Sequence, residues 1–349
     1  MVKFAAVSSI NREAKCPESF IRLSENNYSA YIAEAAQRAI LAEKPIILLS
    51  GPSGSGKTSA ALRLEKCLRE QGRAAHTISM DNYFLPIDEK SSRDLPRDEN
   101  GNIDLESPLR LDIPLFSEHL RKLATKEEFD MPRFDFTTQS RSGSVKMSRR
   151  HNEIIIIEGI HALNPTVTGD THKFALCMYV SVRTRLRAAD GTMLHPRHIR
   201  LMRRLCRDRL FRKRQYEESF RMFTSVSRGE DLYITPYKSR ADFDIDTFMA
   251  YEASVYKNFL LDGLIAERDS ELAKFPACGE IIKFLSELDA IAPEYVPTSS
   301  MIREYAEMCS GFSWITFFNV SANIKDVCPG KELIRSIFTL ENPCFLAIS

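Results

Sequence analysis

The sequence lacks the features that mark several large classes of protein. No apolar run among its 349 residues approaches the roughly 20 that a membrane-spanning helix needs. Its eight cysteines are scattered and form no C-x-x-C pair, so there is no zinc or redox signature. Internal repeats and low-complexity segments are also absent. The formal net charge is only +1, which provides no global field toward nucleic acid or membrane.

The remaining composition is ordinary, with 44% hydrophobic and 27% charged residues. The first seven residues are too short and too quickly polar a stretch for a signal peptide. We therefore expect a cytoplasmic protein in a reducing environment, with no membrane partner.

One glycine-rich motif dominates the sequence. Residues 51–58 read GPSGSGKT and fit the phosphate-binding pattern G-x-x-x-x-G-K-[ST]. The apolar run 45–50 before it predicts a buried strand, and residues 59–71 after it predict a helix. Glycines let backbone N–H groups converge on phosphate oxygens, and the helix N-terminus adds partial positive charge. We expect Lys57 to reach the outer phosphates and Thr58 to hold Mg²⁺. The predicted nucleotide-binding residues are Gly51, Pro52, Ser53, Gly54, Ser55, Gly56, Lys57, Thr58 and Ser59.

Strand and helix patterns alternate along the chain. Strands are predicted at 45–50, 74–79, 153–158, 176–182 and 242–245, and helices at 28–42, 59–71, 113–123, 197–216, 248–261 and 280–288. This alternation predicts an α/β fold of the P-loop NTPase class, with a doubly wound parallel sheet of about five strands.

Two carboxylates follow predicted strands beside the loop. Ligands of doubly wound sheets bind at the C-terminal ends of the strands, where both would lie. Glu158 is either a carboxylate directed at Mg²⁺ or a cap on the following turn. Asp81 is either a general base for an attacking hydroxyl or an Asx-turn residue that closes the strand.

The helix at 197–216 is strongly basic. Arg200, Arg204 and Arg207 share a face at i, i+4 and i+7, and such a face can close over a triphosphate as a lid. A solvated surface helix and a nucleic-acid-binding helix are the alternatives. We favour the lid because the phosphate loop is in the same chain.

Six ordered motifs resemble a known family. They read GPSGSGKT, SMDNYF, DENGNIDLESP, PRFDFTTQSR, IIIIEGIHALNP and RLMRRLCRDRLFRKR. Together they resemble the uridine kinase–phosphoribulokinase family over roughly residues 45–310, and the later stretches resemble a bacterial branch labelled uridine kinase-like. The resemblance implies a P-loop kinase with a helical lid that transfers the γ-phosphoryl group of ATP to a hydroxyl with Mg²⁺.

The resemblance also implies residue roles. Asp81 would be the catalytic base, with Lys57, Arg204 and Arg207 as further catalytic residues, and Thr58 and Glu158 would hold Mg²⁺. The implied substrate-binding residues are Asp81, Tyr83, Glu106, Phe134, Phe136, Gln139, Arg141, Arg212 and Arg214.

Three stretches depart from true uridine–cytidine kinases. Residues 105–108 read LESP where those enzymes have FDHP, and residues 134–141 read FDFTTQSR where they have YDFxxHSR. Pyrimidine specificity does not carry over, because a site built to hydrogen-bond a base loses heavily when its partner groups vanish. Lys213 replaces the glycine usual in the lid.

The sequence thus predicts an ATP-dependent small-molecule kinase with a nucleoside as the expected acceptor. A kinase of a sugar phosphate or other hydroxylated metabolite, and an inactive nucleotide- or RNA-binding regulator, are the alternatives. We expect no nucleic-acid partner, and a homo-oligomer stays open. The expected domains are an N-terminal extension with a helix at 1–44, a P-loop kinase domain at 45–297 with its lid at about 195–216, and a C-terminal extension of unclear role at 298–349.

Overall fold

The structure is a computed structural model that describes residues 3–87 and 93–305. The chain divides into two units, Met1–Ala306 and Glu307–Ser349. The second unit lies outside the described residues, and so does the expected C-terminal extension apart from residues 298–305. The strands of the described part are β1 (Phe4–Ala6), β2 (Ile46–Ser50), β3 (Ala75–Ser79), β4 (Phe129–Asp135), β5 (Ser140–Met147), β6 (Ile154–Glu158), β7 (Ala175–Ser181), β8 (Arg185–Arg187), β9 (Met193–Leu194) and β10 (Phe243–Asp246). Its α-helices are α1 (Val7–Ala14), α2 (Pro17–Leu41), α3 (Lys57–Glu70), α4 (Ile113–Thr125), α5 (Pro165–Thr168), α6 (Pro196–Arg212), α7 (Tyr216–Tyr233), α8 (Glu252–Glu267) and α9 (Pro276–Glu287).

A five-stranded parallel sheet with the order β10-β7-β2-β6-β3 forms the centre of the described part. Strands β2 and β6 are buried at every position, as their runs IILLS and IIIIE predict for a sheet covered on both faces. Helix α4 contributes to the core on one face, and α3 contacts β2, β3, β6 and β7. The predicted α/β fold with about five parallel strands is confirmed.

The sheet register brings the predicted catalytic segments together. Glu158, the last residue of β6, pairs with Leu49 on one side and Ser79 on the other. The phosphate loop begins two residues after Leu49, and Asp81 lies two residues after Ser79. Strands β2, β6 and β3 therefore end at the same height in the sheet, and the segments that follow them lie at the same edge.

Three elements differ from the prediction. Helix α2 begins at Pro17 rather than at residue 28 and packs against α3. Strands β4 and β5 form an antiparallel hairpin that was not predicted, because β5 (SRSGSVKM) is largely exposed and polar and gives no apolar alternation. The helix predicted at 197–216 ends at Arg212, where Lys213 takes a left-handed φ of 53°, and α7 then begins at Tyr216. Lys213 thus occupies the conformation that favours glycine.

The end of the described part lies beyond the expected kinase domain. A short 3₁₀ helix, Met301–Glu304, follows the expected boundary at residue 297 and belongs to the same unit as the phosphate loop. No helix within residues 3–87 and 93–305 is long and apolar enough to cross a membrane.

Candidate active site

The phosphate loop is shaped by its glycines. Gly54 and Gly56 have φ of 72° and 81°, values that side chains rarely adopt. Gly51 lies so close to β7 that an added Cβ would meet the carbonyl oxygen of Val180 at 2.0 Å. The residues predicted to bind the nucleotide, 51–59, all lie in this loop and in the first turn of α3. Its backbone is thus bent as a phosphate cradle requires.

Helix α3 carries the cation and the hydroxyl of the motif in its first turn. Lys57 Nζ lies 3.3 Å from the carbonyl oxygen of Pro52. The Thr58 hydroxyl donates to Glu158 Oε1 at 3.3 Å, which joins the loop to the end of β6. Lysine at a helix N-terminus adds positive charge where the helix dipole already favours an anion.

Asp81 and Glu158 form an acidic pair beside Lys57. Burial, reinforced by the Asp81 carboxylate, raises the pKa of Glu158 to about 7, while Lys57 opposes both effects. Burial also raises the pKa of Asp81, again opposed by Lys57. The two carboxyl groups and the ammonium group of Lys57 therefore interact electrostatically with one another.

The oxygens at this edge fit Mg²⁺. Mg²⁺ prefers hard oxygen ligands and is usually held by one or two carboxylates, water and substrate phosphates. The Thr58 hydroxyl and the Glu158 carboxylate lie 3.3 Å apart and are of that type. The described residues contain no cluster of three or more His, Cys, Asp or Glu side chains that would hold a metal by themselves. Water and phosphate oxygens would complete the coordination of Mg²⁺ at such a site.

A second acidic group lies between the segment 104–107 and α7. Asp104 accepts hydrogen bonds from the Tyr233 hydroxyl at 3.0 Å and pairs with Arg228 at 2.8 Å. Glu106 packs tightly against Gly229. A Cβ added to Gly229 would lie 2.2 Å from the Cβ of Glu106. Burial raises the pKa of Glu106 to about 7, and its Oε2 has no hydrogen-bond partner among the described residues. Glu106 therefore offers a buried acceptor oxygen.

His161 adds a neutral imidazole to this group. It lies in the motif after Glu158, is 1% exposed, and its ring centroid is 6.4 Å from that of Tyr233. Burial lowers its pKa to about 4. Neither His161 nor Asp104 was among the residues predicted from the sequence, and only their place beside predicted motifs could have indicated them.

The basic helix α6 lies on the phosphate loop and buries much of its charge. Arg200 donates to the carbonyl of Ser53 at 2.9 Å, and Arg203 donates to that of Gly54 at 3.1 Å. Arg203 is 0% exposed and forms a two-point ion pair with Glu252, at 2.7 and 3.0 Å. Arg200 and Arg203 therefore face the protein interior and not the solvent.

Asp208 organises the other lid arginines. Its buried carboxylate pairs with Arg204 at 3.3 Å and with Arg212 at 2.9 Å, and Arg214 lies at 3.7 Å. Arg207 is separate from this group and has Glu304 at 3.8 Å. Arg204, Arg212 and Arg214 thus lie around one carboxylate, and Arg214 has a shorter ion pair with Glu218, at 3.3 Å.

The β4–β5 hairpin presents aromatic rings beside the Asp81 segment. Phe84, Phe134 and Phe136 meet edge to face, with centroids 5.2 to 6.1 Å apart. Phe136 is 54% exposed, whereas Phe134 is buried. The Asn82 amide oxygen accepts from the backbone N–H of Phe134 at 3.3 Å, which fixes the hairpin to the segment.

Three residues predicted to bind substrate are engaged elsewhere. Tyr83 lies in the core, and its hydroxyl bonds His119 Nδ1 at 3.0 Å. Gln139 donates to the carbonyl of Phe136 at 2.8 Å, within its own hairpin. Arg141 pairs with Asp112 at 2.7 Å. All three side chains thus have partners within the chain in this structure.

Known proteins match this chain in comparisons of sequence and of structure. A family model described as Phosphoribulokinase / Uridine kinase family matches residues 46–252, from the first residue of β2 to the first of α8. The uridine kinase of Staphylococcus aureus strain JH9 is 29% identical over 201 residues, which cover 57% of this chain and 86% of that protein. Among solved structures, a possible uridine kinase from Bacillus stearothermophilus matches at 19% identity and a TM-score of 0.43, covering 63% of this chain and 98% of that chain. The phosphoribulokinase of Rhodobacter spheroides matches at 16% identity and a TM-score of 0.41, covering 58% and 70%.

Proposed function

The chain belongs to the phosphoribulokinase / uridine kinase family, and on that premise we propose that it transfers the γ-phosphoryl group of ATP to a hydroxyl of an uncharged, nucleoside-like acceptor. Membership makes it a kinase, a phosphotransferase with an alcohol acceptor. Lys57, Asp81 and Glu158 share one field at the end of the sheet, and this convergence supports the proposal most directly.

Each group has a place in the transfer. The loop and Lys57 hold the β- and γ-phosphates, and Asp81 orients the acceptor hydroxyl and takes its proton. As the acceptor oxygen bonds to the γ-phosphorus, the bond to the β–γ bridging oxygen breaks and ADP leaves. Thr58 and Glu158 would hold Mg²⁺, which neutralises charge on the phosphates when it is bound.

The charges around the acceptor side favour an uncharged substrate. Burial raises the pKa of Glu106 most, Arg204 and Lys57 lower it, and the carboxyls of Asp104 and Asp81 raise it by smaller amounts. The three carboxyl groups therefore lie close enough to interact, with two cations nearby. Carboxylates accept hydrogen bonds from sugar hydroxyls but repel a phosphate. Arg228 is already paired with Asp104 at 2.8 Å, and is therefore poorly placed to bind a substrate phosphate.

Aromatic surface beside the Asp81 segment supports a base-bearing acceptor. Phe136 exposes about half of its surface and stands against Phe84 at 6.1 Å. Such rings offer apolar faces to a flat heterocycle without selecting its hydrogen bonds. Gln139 and Arg141 are committed to the hairpin and to Asp112, so the expected base preference is broad.

The test is turnover of Mg²⁺–ATP by the full chain against nucleosides, free sugars and sugar phosphates. Asp81→Asn should keep ATP affinity and lower kcat by about 10²- to 10⁴-fold, because general-base catalysis contributes that much. Asp269→Asn, a control at a carboxylate whose side chain is 90% exposed, should leave turnover unchanged. Wild-type turnover in Asp81→Asn would refute the assigned base. Turnover confined to sugar phosphates would refute the uncharged acceptor.

A further inference from the structure

The last described residues form a short segment beside the nucleotide site, here called the strap (residues 299–305). Arg63 of α3 donates to the carbonyl of Ser299 at 2.6 Å, and the Ser300 hydroxyl lies 3.0 Å from that of Tyr251, just before α8. Met301, Ile302 and Tyr305 are at most 1% exposed. These three side chains of the strap are therefore buried as completely as the core.

The strap touches the last glycine of the phosphate loop. A Cβ on Gly56 would lie 2.9 Å from Met301 Cε and 3.7 Å from the Tyr305 hydroxyl. That hydroxyl is buried and has no hydrogen-bond partner among the described residues. One wall of the loop is thus built by residues more than 240 positions away in the chain.

Glu304 connects the strap to both sides of the nucleotide site. Its Oε2 accepts from the Ser59 hydroxyl at 2.6 Å, in the first turn of α3 directly after Thr58. Its Oε1 lies 3.8 Å from Arg207 on the lid helix α6. A hydroxyl at a helix N-terminus and a lid guanidinium are groups that bind phosphate oxygens well. In this structure they hold a carboxylate of the chain itself.

Arg207 has the longest ion pair of the predicted lid arginines, and its guanidinium also lies 5.9 Å from the ring centroid of Tyr305. Its ion pair is longer than the 2.7 Å pair of Arg203 and the 3.3 Å pair of Arg204. Its Nε is buried without a hydrogen-bond partner among the described residues. A phosphate group that replaced Glu304 could therefore accept a hydrogen bond from this Nε–H group, which has no partner among the described residues.

We propose that the strap is part of the nucleotide site and that Glu304 is an internal competitor of the triphosphate. Without nucleotide, Glu304 holds Ser59 and Arg207; a bound triphosphate displaces it from Arg207 and completes the lid contact. This inference rests on the proposed function in so far as the ligand is ATP. Glu304 then lowers ATP affinity, because its charge must be displaced and repels the phosphates.

The test is ATP affinity of the full chain by titration calorimetry. Glu304→Gln keeps the size and the bond from Ser59 but removes the charge, and should bind ATP about two- to fivefold more tightly, the range expected for a partly exposed ion pair. Glu304→Asp keeps the charge and should stay near wild type. In an Arg207→Gln background, Glu304→Gln should change affinity by a smaller factor than in wild type, because the competitor has lost its partner. Glu34→Gln, in the exposed Arg38–Glu34 pair, is the matched control without effect.

A gain in affinity separates this role from a purely structural one, since a damaged strap would bind ATP less well. Unchanged or weaker affinity in Glu304→Gln, with the melting temperature preserved, would overturn the inference. An effect of equal size in the Arg207→Gln background would overturn it too. Loss of acceptor turnover alone, with ATP binding intact, would count against the proposed function and not against the strap.

Discussion

Replacing Glu252 with alanine should destabilise the described unit strongly. Glu252 and Arg203 are both 0% exposed and form a two-point ion pair between α8 and α6, at 2.7 and 3.0 Å. Arg203 also donates to the carbonyls of Thr247 at 2.6 Å and Gly54 at 3.1 Å. The same guanidinium thus ties the lid helix to the phosphate loop.

The expected loss is about 3 to 5 kcal/mol of unfolding free energy, because the substitution leaves a buried guanidinium without a counter-charge. Glu34→Ala breaks an exposed pair of 2.8 Å and should cost at most about 1 kcal/mol. Replacing both Arg203 and Glu252 with methionine should recover much of the loss, since no buried charge remains. ATP affinity should be lower in the double variant than in wild type, because the bond from Arg203 to the Gly54 carbonyl is gone.

Urea unfolding followed by circular dichroism measures these differences, provided that the denaturant dependence of the free energy is the same in each variant. A loss below about 1 kcal/mol in Glu252→Ala would refute the reasoning. It would mean that water or a neighbouring group replaces the carboxylate at no cost. A double variant as unstable as the single one would show that packing, rather than charge, stabilises this contact.

Two further predictions concern Glu106 and Gly51. Burial raises the pKa of Glu106 from 4.5 to about 7, so its contribution to stability is present below pH 4.5 and is lost as the pH rises through 7. The stability of wild type relative to Glu106→Gln should therefore fall by roughly 3 kcal/mol between pH 4 and pH 8, as urea unfolding at both values would measure; equal pH dependence would contradict the shift. Gly51→Ala should lower the free energy of unfolding by at least about 2 kcal/mol, because the added Cβ would lie 2.0 Å from the Val180 carbonyl oxygen. Gly279→Ala in α9 should raise it by about 0.5 to 1 kcal/mol, because a Cβ there meets nothing within 4 Å. Thermal melting of both variants distinguishes them, and equal effects would show that the contact at Gly51 relaxes freely.

The sequence determined the phosphate loop, the five strands of the parallel sheet and the edge of the sheet at which chemistry would occur. These features are local. Gly54 and Gly56 allow backbone angles that other residues resist. The apolar runs of β2 and β6 suit a strand that is covered on both faces, and both strands are buried at every position. Once those strands are parallel and in register, Asp81 and Glu158 must lie near Lys57.

Only the tertiary structure decided which partner each polar side chain takes. Tyr83 and Phe136 both lie in motifs predicted to bind substrate, yet one is 1% exposed and the other 54%. The sequence of helix α6 is typical of a basic surface. In the structure, Arg203 is buried and is neutralised by Glu252, which lies 49 positions away in the chain. Glu304 reaches Ser59 across 245 positions. Short-range patterns fix backbone geometry, whereas burial and ion pairing depend on residues that are adjacent only after folding.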